Sequence, residues 1–401
     1  MNPAPPIEQP QARTTGPGFS IDAPGAHANW IPSAIYLATS WSWCIGMFLP
    51  VLLIRDYGLW GWIVFAVPNV VGAGAMGWVL RRRTTSRHIV LAHAGACRWF
   101  SIVTFAFHIA FVGCILAPFM TPKIGTYLLL LVAFGAIYLA GEWRARADLV
   151  SSILVYALSC AMLIAYVSMV RSNQNLAPQL YLGDPRKAAL LAPVCIFGFL
   201  LCPYLDITFH AARQALPVAA ARRAFSVGFG VLFLLMIVFS AIYAQPLAQA
   251  LKHGHTLPAI AVMAIGLHMI GQIAFTMAAH ARYHSPEKLR FIVLSFLTSF
   301  VVIFIAYNVY GFTKLAGDEM VYRMFMGFYG LAFPAYVWLC MIPGRGRLKP
   351  TRWQLTVFAG AVLIALPMFW MGFILQRLTW LLPGVGMVLL ARVFVRSRRL
   401  N

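Results

Sequence analysis

The sequence predicts an all-α polytopic membrane protein of about 12 transmembrane helices, each of about 20 residues. Three observations carry this. First, 61% of the 401 residues are hydrophobic and only 10% are charged, against about half and about a quarter in soluble domains. Second, the mean hydropathy is +0.79. Third, apolar runs of membrane-spanning length follow one another with short connections, which excludes a soluble enzyme. The 31 Lys and Arg against 10 Asp and Glu give a net charge of +21. In a soluble chain that excess would point to nucleic acid. Here the basic residues sit between apolar runs, so the lipid bilayer is the expected partner and nucleic acid is not.

Residues 1–30 are rich in Pro, Ala and Gly and hold no apolar core, which predicts a disordered cytoplasmic tail, neither a signal peptide nor a helix. Apolar runs against their breakers then give spans at 31–54, 58–80, 90–119, 124–142, 147–170, 187–210, 221–245, 256–281, 289–312, 320–343, 353–374 and 377–396. With the N-terminus in the cytoplasm, 21 Lys and Arg fall in cytoplasmic segments, nine fall on the other side, and Arg98 lies within a span. Adding or losing one span would scramble that asymmetry, so both termini are expected inside. Short loops fit a bacterial inner membrane.

Spans one and six carry breakers near their middles. Ser40, Ser42 and Gly46 precede Pro50 in the first; Gly198 and Pro203 precede Asp206 in the sixth. Either could be a simple kink, but the matching positions predict two inverted five-helix repeats, 31–170 and 187–343, followed by two trailing helices at 353–396. Spans three and eight are also repeat partners. Arg98, Ser101, Thr104 and His108 form a polar stripe along one, and His268, Gln272, Thr276 and His280 along the other. Such stripes must face protein or water. The alternative for each residue is a bond to its own helix or to a neighbouring one.

Asp206 is the carboxylate deepest within a span, which makes it a functional candidate. Asp206, His210 and Arg213 follow at i, i+4 and i+7, the spacing of one helix face, and suit proton exchange or a gate; a static salt bridge or an N-cap on a restarting half-helix is the plain alternative. Trp41, Trp43 and Phe48 around the first breaker, with Phe197, Phe199 and Tyr204 around the second, would line a pocket for a small organic solute. The expected substrate-binding set is Ser40, Ser42, Trp43, Gly46, Ser101, Thr104, His108, Gly198, Tyr204, His268 and Gln272. Asp206, His210, Arg213 and Thr276 form the expected coupling or gating set. All seven cysteines lie in apolar runs with no CxxC pair, and no phosphate loop, zinc motif or nucleophile elbow occurs. No cofactor, no metal site and no catalytic residue is expected.

Twelve spans, breakers in one and six, polar three and eight and two trailing helices resemble the LeuT-type fold shared by the amino acid/polyamine/organocation superfamily and the sodium/solute symporters. The stretch CPYLDITFHAARQ (Cys202–Gln214) is loosely similar to the sixth helix of Nramp-type metal transporters. The chain lacks that family's Asp-Pro-Gly-Asn in span one and has Cys202 where the metal-binding Met would stand, which argues against metal transport. The LeuT-type resemblance implies alternating access, an amino-acid-like or other small organic solute, and coupling to a proton or to sodium. For the helix-eight Ser/Thr pair of sodium-coupled members, this chain offers only Thr276, so proton coupling through Asp206 and His210 competes. Two other classes stay open: a polytopic enzyme such as an acyl or lipid-linked transferase, and a non-transporting sensor or component of a membrane complex.

Overall fold

The computed structural model describes residues 29–120, 145–178, 181–253, 257–284, 287–313 and 315–395. The N-terminal tail and the expected fourth span (124–142) lie outside the described residues. Helix α1 (Trp30–Trp41) starts on an Asn29 cap and stops at Ser42 and Trp43, whose backbones leave the helical region. Helix α2 (Cys44–Val79) restarts there and runs 36 residues, too long for one crossing, with a turn at Gly58. The amphipathic α3 (Arg83–Ala92) precedes α4 (Ala94–Met120), and α5 (Ala145–Ser172) follows the undescribed segment. Helix α6 (Pro185–Leu201) gives way at Cys202 and Pro203 to a single tight turn, and α7 (Ile207–Ala215) restarts on an Asp206 cap. Then come α8 (Val218–Lys252), α9 (Ala259–Arg282), α10 (Lys288–Val309), α11 (Gly317–Gly344), α12 (Arg352–Ile374) and α13 (Leu378–Phe394).

Among the described residues, nine helices are long and apolar enough to cross a membrane, α13 is a shorter apolar helix, and no strand occurs. The chain is thus an all-α integral membrane protein. Each expected span other than the fourth falls on helix: α2 supplies the end of span one and the whole of span two, and α6 and α7 together supply span six. Burial separates an inner layer from an outer one. The most apolar stretch of α4 is 83% buried within the protein, whereas those of α10 and α12 are 28% buried. The outer helices present Phe296, Phe300 and Phe304 on α10, and Leu363 and Leu366 on α12, where a soluble helix would present charge.

The ends of the bundle differ. Arg81, Arg82 and Arg83, α3 and Arg213 mark a basic end. At the opposite end α2 turns at Gly58, where φ is +68° and ψ is −160°, a region nearly reserved for glycine that costs other residues about 1–3 kcal/mol. The segment before α6 docks onto this turn through Leu59 N–H to Tyr181 O (2.8 Å) and Trp60 N–H to Leu182 O (3.1 Å). A Cβ on Gly58 would come within 2.7 Å of the Gly183 and Tyr181 backbones. We therefore expect Gly58→Ala to lower the unfolding midpoint in detergent by more than a Gly→Ala change at Gly113, where a Cβ would meet nothing within 4 Å.

Candidate functional site

The interruptions in spans one and six lie side by side. Trp41, Trp43, Ile45 and Gly46 from the first and Phe199 and Cys202 from the second line one internal cavity, completed by Asn69 of α2 and Tyr329 of α11. Its volume is about 10 Å³, room for roughly one water. The break leaves backbone groups to be satisfied. Pro50 has no N–H to offer the Gly46 carbonyl one turn back. The first turn of α2 carries no side-chain cap. Tyrosines from other spans supply part of the need: Tyr322 Oη donates to Cys44 O (3.1 Å) and Tyr243 Oη to Met47 O (2.7 Å).

The aromatic lining is held from several sides. Trp41 Nε1 donates to Asn69 Oδ1 (2.7 Å), and the Trp41 ring lies against Phe209 with centroids 4.9 Å apart. Trp43 contacts Tyr329 (5.1 Å), His108 (5.8 Å) and Phe100 (6.2 Å). Thr104 and Tyr329 hydroxyls are 3.0 Å apart, while His108 Nδ1 donates to Thr104 O (2.7 Å). Gly198 lets α6 cross α11 closely, since a Cβ there would sit 2.7 Å from Tyr329 O. Both serine hydroxyls of α1 turn back onto their own helix, Ser40 to Leu37 O (3.1 Å) and Ser42 to Ala38 O (2.8 Å).

Other expected site residues sit elsewhere. His268 Nδ1 and Gln272 Nε2 both reach Ser159 of α5 at 2.9 Å, so this part of the span-eight stripe faces span five and not the cavity. Thr276 Oγ1 is buried without a hydrogen-bond partner among the described residues. The Asp206–His210–Arg213 spacing does not bring the three side chains together, because Asp206 has extended backbone and caps α7 instead of lying on it. Its Oδ1 accepts from Thr208 N–H (2.8 Å) and Thr208 Oγ1 (2.6 Å). His210 turns toward α3: Nε2 donates to Tyr204 O (3.0 Å) and Nδ1 meets Ser86 Oγ (2.9 Å). Arg213 spends its guanidinium on the carbonyls of Leu80, Arg81 and Leu216, and Arg83 bonds those of Ala215 and Leu216.

Asp206 faces α9 instead. Its Oδ2 lies 3.9 Å from His280 Nε2, both side chains are buried, and neither atom has a hydrogen-bond partner among the described residues. His280 Nδ1 lies 3.0 Å from Ser101 Oγ. His280 was legible only as the last member of a stripe. Asn69, a lone amide in an apolar run, and Tyr329 gave no periodic signal. At the opposite end, Arg55, Asp56, Glu319 and Arg323 form one ion-pair network, with Arg55 to Glu319 at 2.8 Å and Arg323 to Asp56 at 2.8 Å. A second cavity of about 170 Å³ lies beneath it, lined by Phe48, Arg55, Lys252, Asp318 and Glu319. Phe48, on the wall of this second cavity, lies against Phe111 (5.3 Å) and Tyr322 (5.0 Å). No group of three or more His, Cys, Asp or Glu among the described residues is arranged to hold a metal ion.

The fold is one that a membrane transporter shares. The chain is similar in structure to a Na+-coupled sialic acid symporter solved in a substrate-bound, outward-open state, with a TM-score of 0.55 and 12% identity over 94% of this chain and 92% of that one. It also matches the manganese transporter of Eremococcus coleocola, at a TM-score of 0.47 and 14% identity over 92% of this chain and 93% of that one. No family model matches the chain, and no curated protein matches it.

Ser159 anchors two buried polar side chains across the α5–α9 contact. We expect Ser159→Ala to cost about 1 kcal/mol, two cross-helix bonds in a membrane bundle, read as a lower unfolding midpoint in detergent; an unchanged midpoint would mean that the two bonds contribute nothing.

Proposed function

We propose that the protein is a secondary active transporter that moves a small organic solute by alternating access on a LeuT-type scaffold. The observation that carries this reading is that the two helix interruptions meet across one internal cavity, in a fold shared with a symporter. Non-helical backbone deep in a membrane persists only where protein or a cavity satisfies it, and transporter sites at mid-membrane are built this way. Residues 31–170 and 187–343 are read as inverted repeats, with 353–396 trailing and the basic end cytoplasmic in a bacterial inner membrane.

Alternating access needs two closures and a site between them. At the cytoplasmic end the closure is α7 clamped to α3 and the preceding loop through His210, Arg213 and Arg83. At the outer end it is the Arg55–Asp56–Glu319–Arg323 network with Phe48 and Tyr322 beneath it. The central cavity of about 10 Å³ describes a closed site that must widen to admit a solute. Trp41, Trp43 and Tyr329 supply the aromatic walls, Thr104 and His108 the polar support, and the uncapped start of α2 favours a carboxylate. Coupling to a proton or to sodium would drive accumulation.

Counterflow in liposomes loaded with pooled amino acids and small organic acids tests the reading. Wild type should exchange at least one labelled solute, and Gly46→Leu, which adds a side chain at a lining position of the cavity, should abolish that exchange while melting as a folded protein. Exchange that survives Gly46→Leu would overturn the assignment of the site. Turnover of a lipid substrate in place of exchange would replace transport with enzymatic chemistry.

A further inference from the structure

Among the buried ionisable groups, His210 has both ring nitrogens engaged: Nε2 donates to a carbonyl, which leaves Nδ1 as the acceptor for Ser86 in the neutral ring. Asp206 and His280 are different. Asp206 is fixed on one oxygen by the Thr208 bonds, and its second oxygen points across the span-six break at His280 Nε2, 3.9 Å away. In the neutral tautomer that donates Nδ1–H to Ser101 Oγ, the facing Nε2 is a lone pair. In that tautomer two buried acceptors oppose each other. Burial of an uncompensated acceptor is costly, and Arg213 is turned away onto loop carbonyls.

We propose that Asp206 and His280 together bind one proton, and that this pair couples transport to a proton gradient. The inference rests on the transport reading above and names its driving ion. One proton taken from water would lie between Asp206 Oδ2 and His280 Nε2, turning two opposed acceptors into one charge-assisted hydrogen bond. Such bonds are about 2.7–2.9 Å long, so α9 and the start of α7 must close by about 1 Å when it forms. Release returns the same proton to water. The movement acts on the half-helix that also carries the cytoplasmic clamp, since His210 and Arg213 lie one and two turns beyond Asp206 on α7.

The surroundings fit a proton better than a metal cation. Ser101 of α4 contacts His280, and Tyr36 of α1, Cys97 of α4, Tyr329 of α11 and Tyr283 after α9 lie within electrostatic reach of Asp206. His108 and His284 are the other ionisable groups within electrostatic reach of His280. Phe100 stands between the pair and the central cavity, 6.5 Å from the His280 ring and 5.7 Å from Tyr329. Tyr36 and Tyr283 lie on another side of the pair. Tyr36 and Tyr283 hydroxyls are 3.3 Å apart, and both feel Asp206 on one side and Asp148, ion-paired with Arg282, on the other.

Two measurements on the full-length protein in liposomes test the pair. In infrared difference spectra between high and low pH, wild type should show a carboxylate band that shifts as the pair takes up its proton, absent in Asp206→Asn and displaced in His280→Gln. Asn is an accepted N-cap, so Asp206→Asn keeps the restart of α7. In transport, the ratio of pH-driven accumulation to counterflow should collapse in both variants and stay at the wild-type value in Ser159→Ala, which loosens a contact away from the pair and from both closures. A His280→Gln protein with an unshifted carboxyl band and normal pH-driven accumulation would overturn the pair. So would accumulation that follows sodium at fixed pH. If wild type neither exchanges nor accumulates any solute, the transport reading fails, and the infrared titration still decides whether the pair binds a proton.

Discussion

Everything described here depends on one constraint: in hydrocarbon, a backbone N–H or C=O must find its partner within the protein. An unbroken helix meets that demand by itself. A helix interrupted at mid-membrane does not, and this chain interrupts two. The consequences are visible in what gathers around the breaks. Tyrosines on α8 and α11 reach the carbonyls of Cys44 and Met47, Asp206 caps the restarting α7, and the two interruptions share one cavity. Packing of the inner layer follows from the same need, because groups that depend on one another for hydrogen bonds cannot be left toward lipid.

The fold was legible in the sequence to the extent that it rests on local rules. Apolar length and breaker position located spans one and six down to the interruptions at Ser42 and at Cys202–Asp206, since Gly, Pro and Ser act through the backbone of their own segment. The cavity was partly legible: Trp43 and Gly46 lie on it, and Thr104 and His108 support it. The rest was hidden for physical reasons. Spacing tells which residues share a helix face but not which neighbour that face meets, so His268 and Gln272 turned out to look at Ser159. The Asp206–His210–Arg213 series assumed a continuous helix, and a cap residue lies outside the helix whose period was being counted. Asn69 and Tyr329 come from elements whose approach is set by tertiary packing, which no periodicity records.

The bundle also divides its charge chemistry by location. The Arg55–Asp56–Glu319–Arg323 ion pairs hold one end, whereas the basic end combines carbonyl-bound arginines with the Arg282–Asp148 and Arg98–Glu287 pairs. A bundle built this way keeps its strongest electrostatics near its ends and leaves the middle to hydrogen bonds and aromatic contact.

The two closures therefore differ in kind. Arg213 and Arg83 grip the carbonyls of Leu80, Ala215 and Leu216, which carry dipoles but no charge. Arg55, Asp56, Glu319 and Arg323 grip one another as ions, with Arg55 about a third exposed. Dissolved salt screens attraction between exposed ions and has far less purchase on an arginine held by backbone dipoles. Ionic strength thus acts as a lopsided lever on this molecule, loosening the ion-paired cluster at Arg55 more than the α7–α3 contact that Arg213 and Arg83 hold.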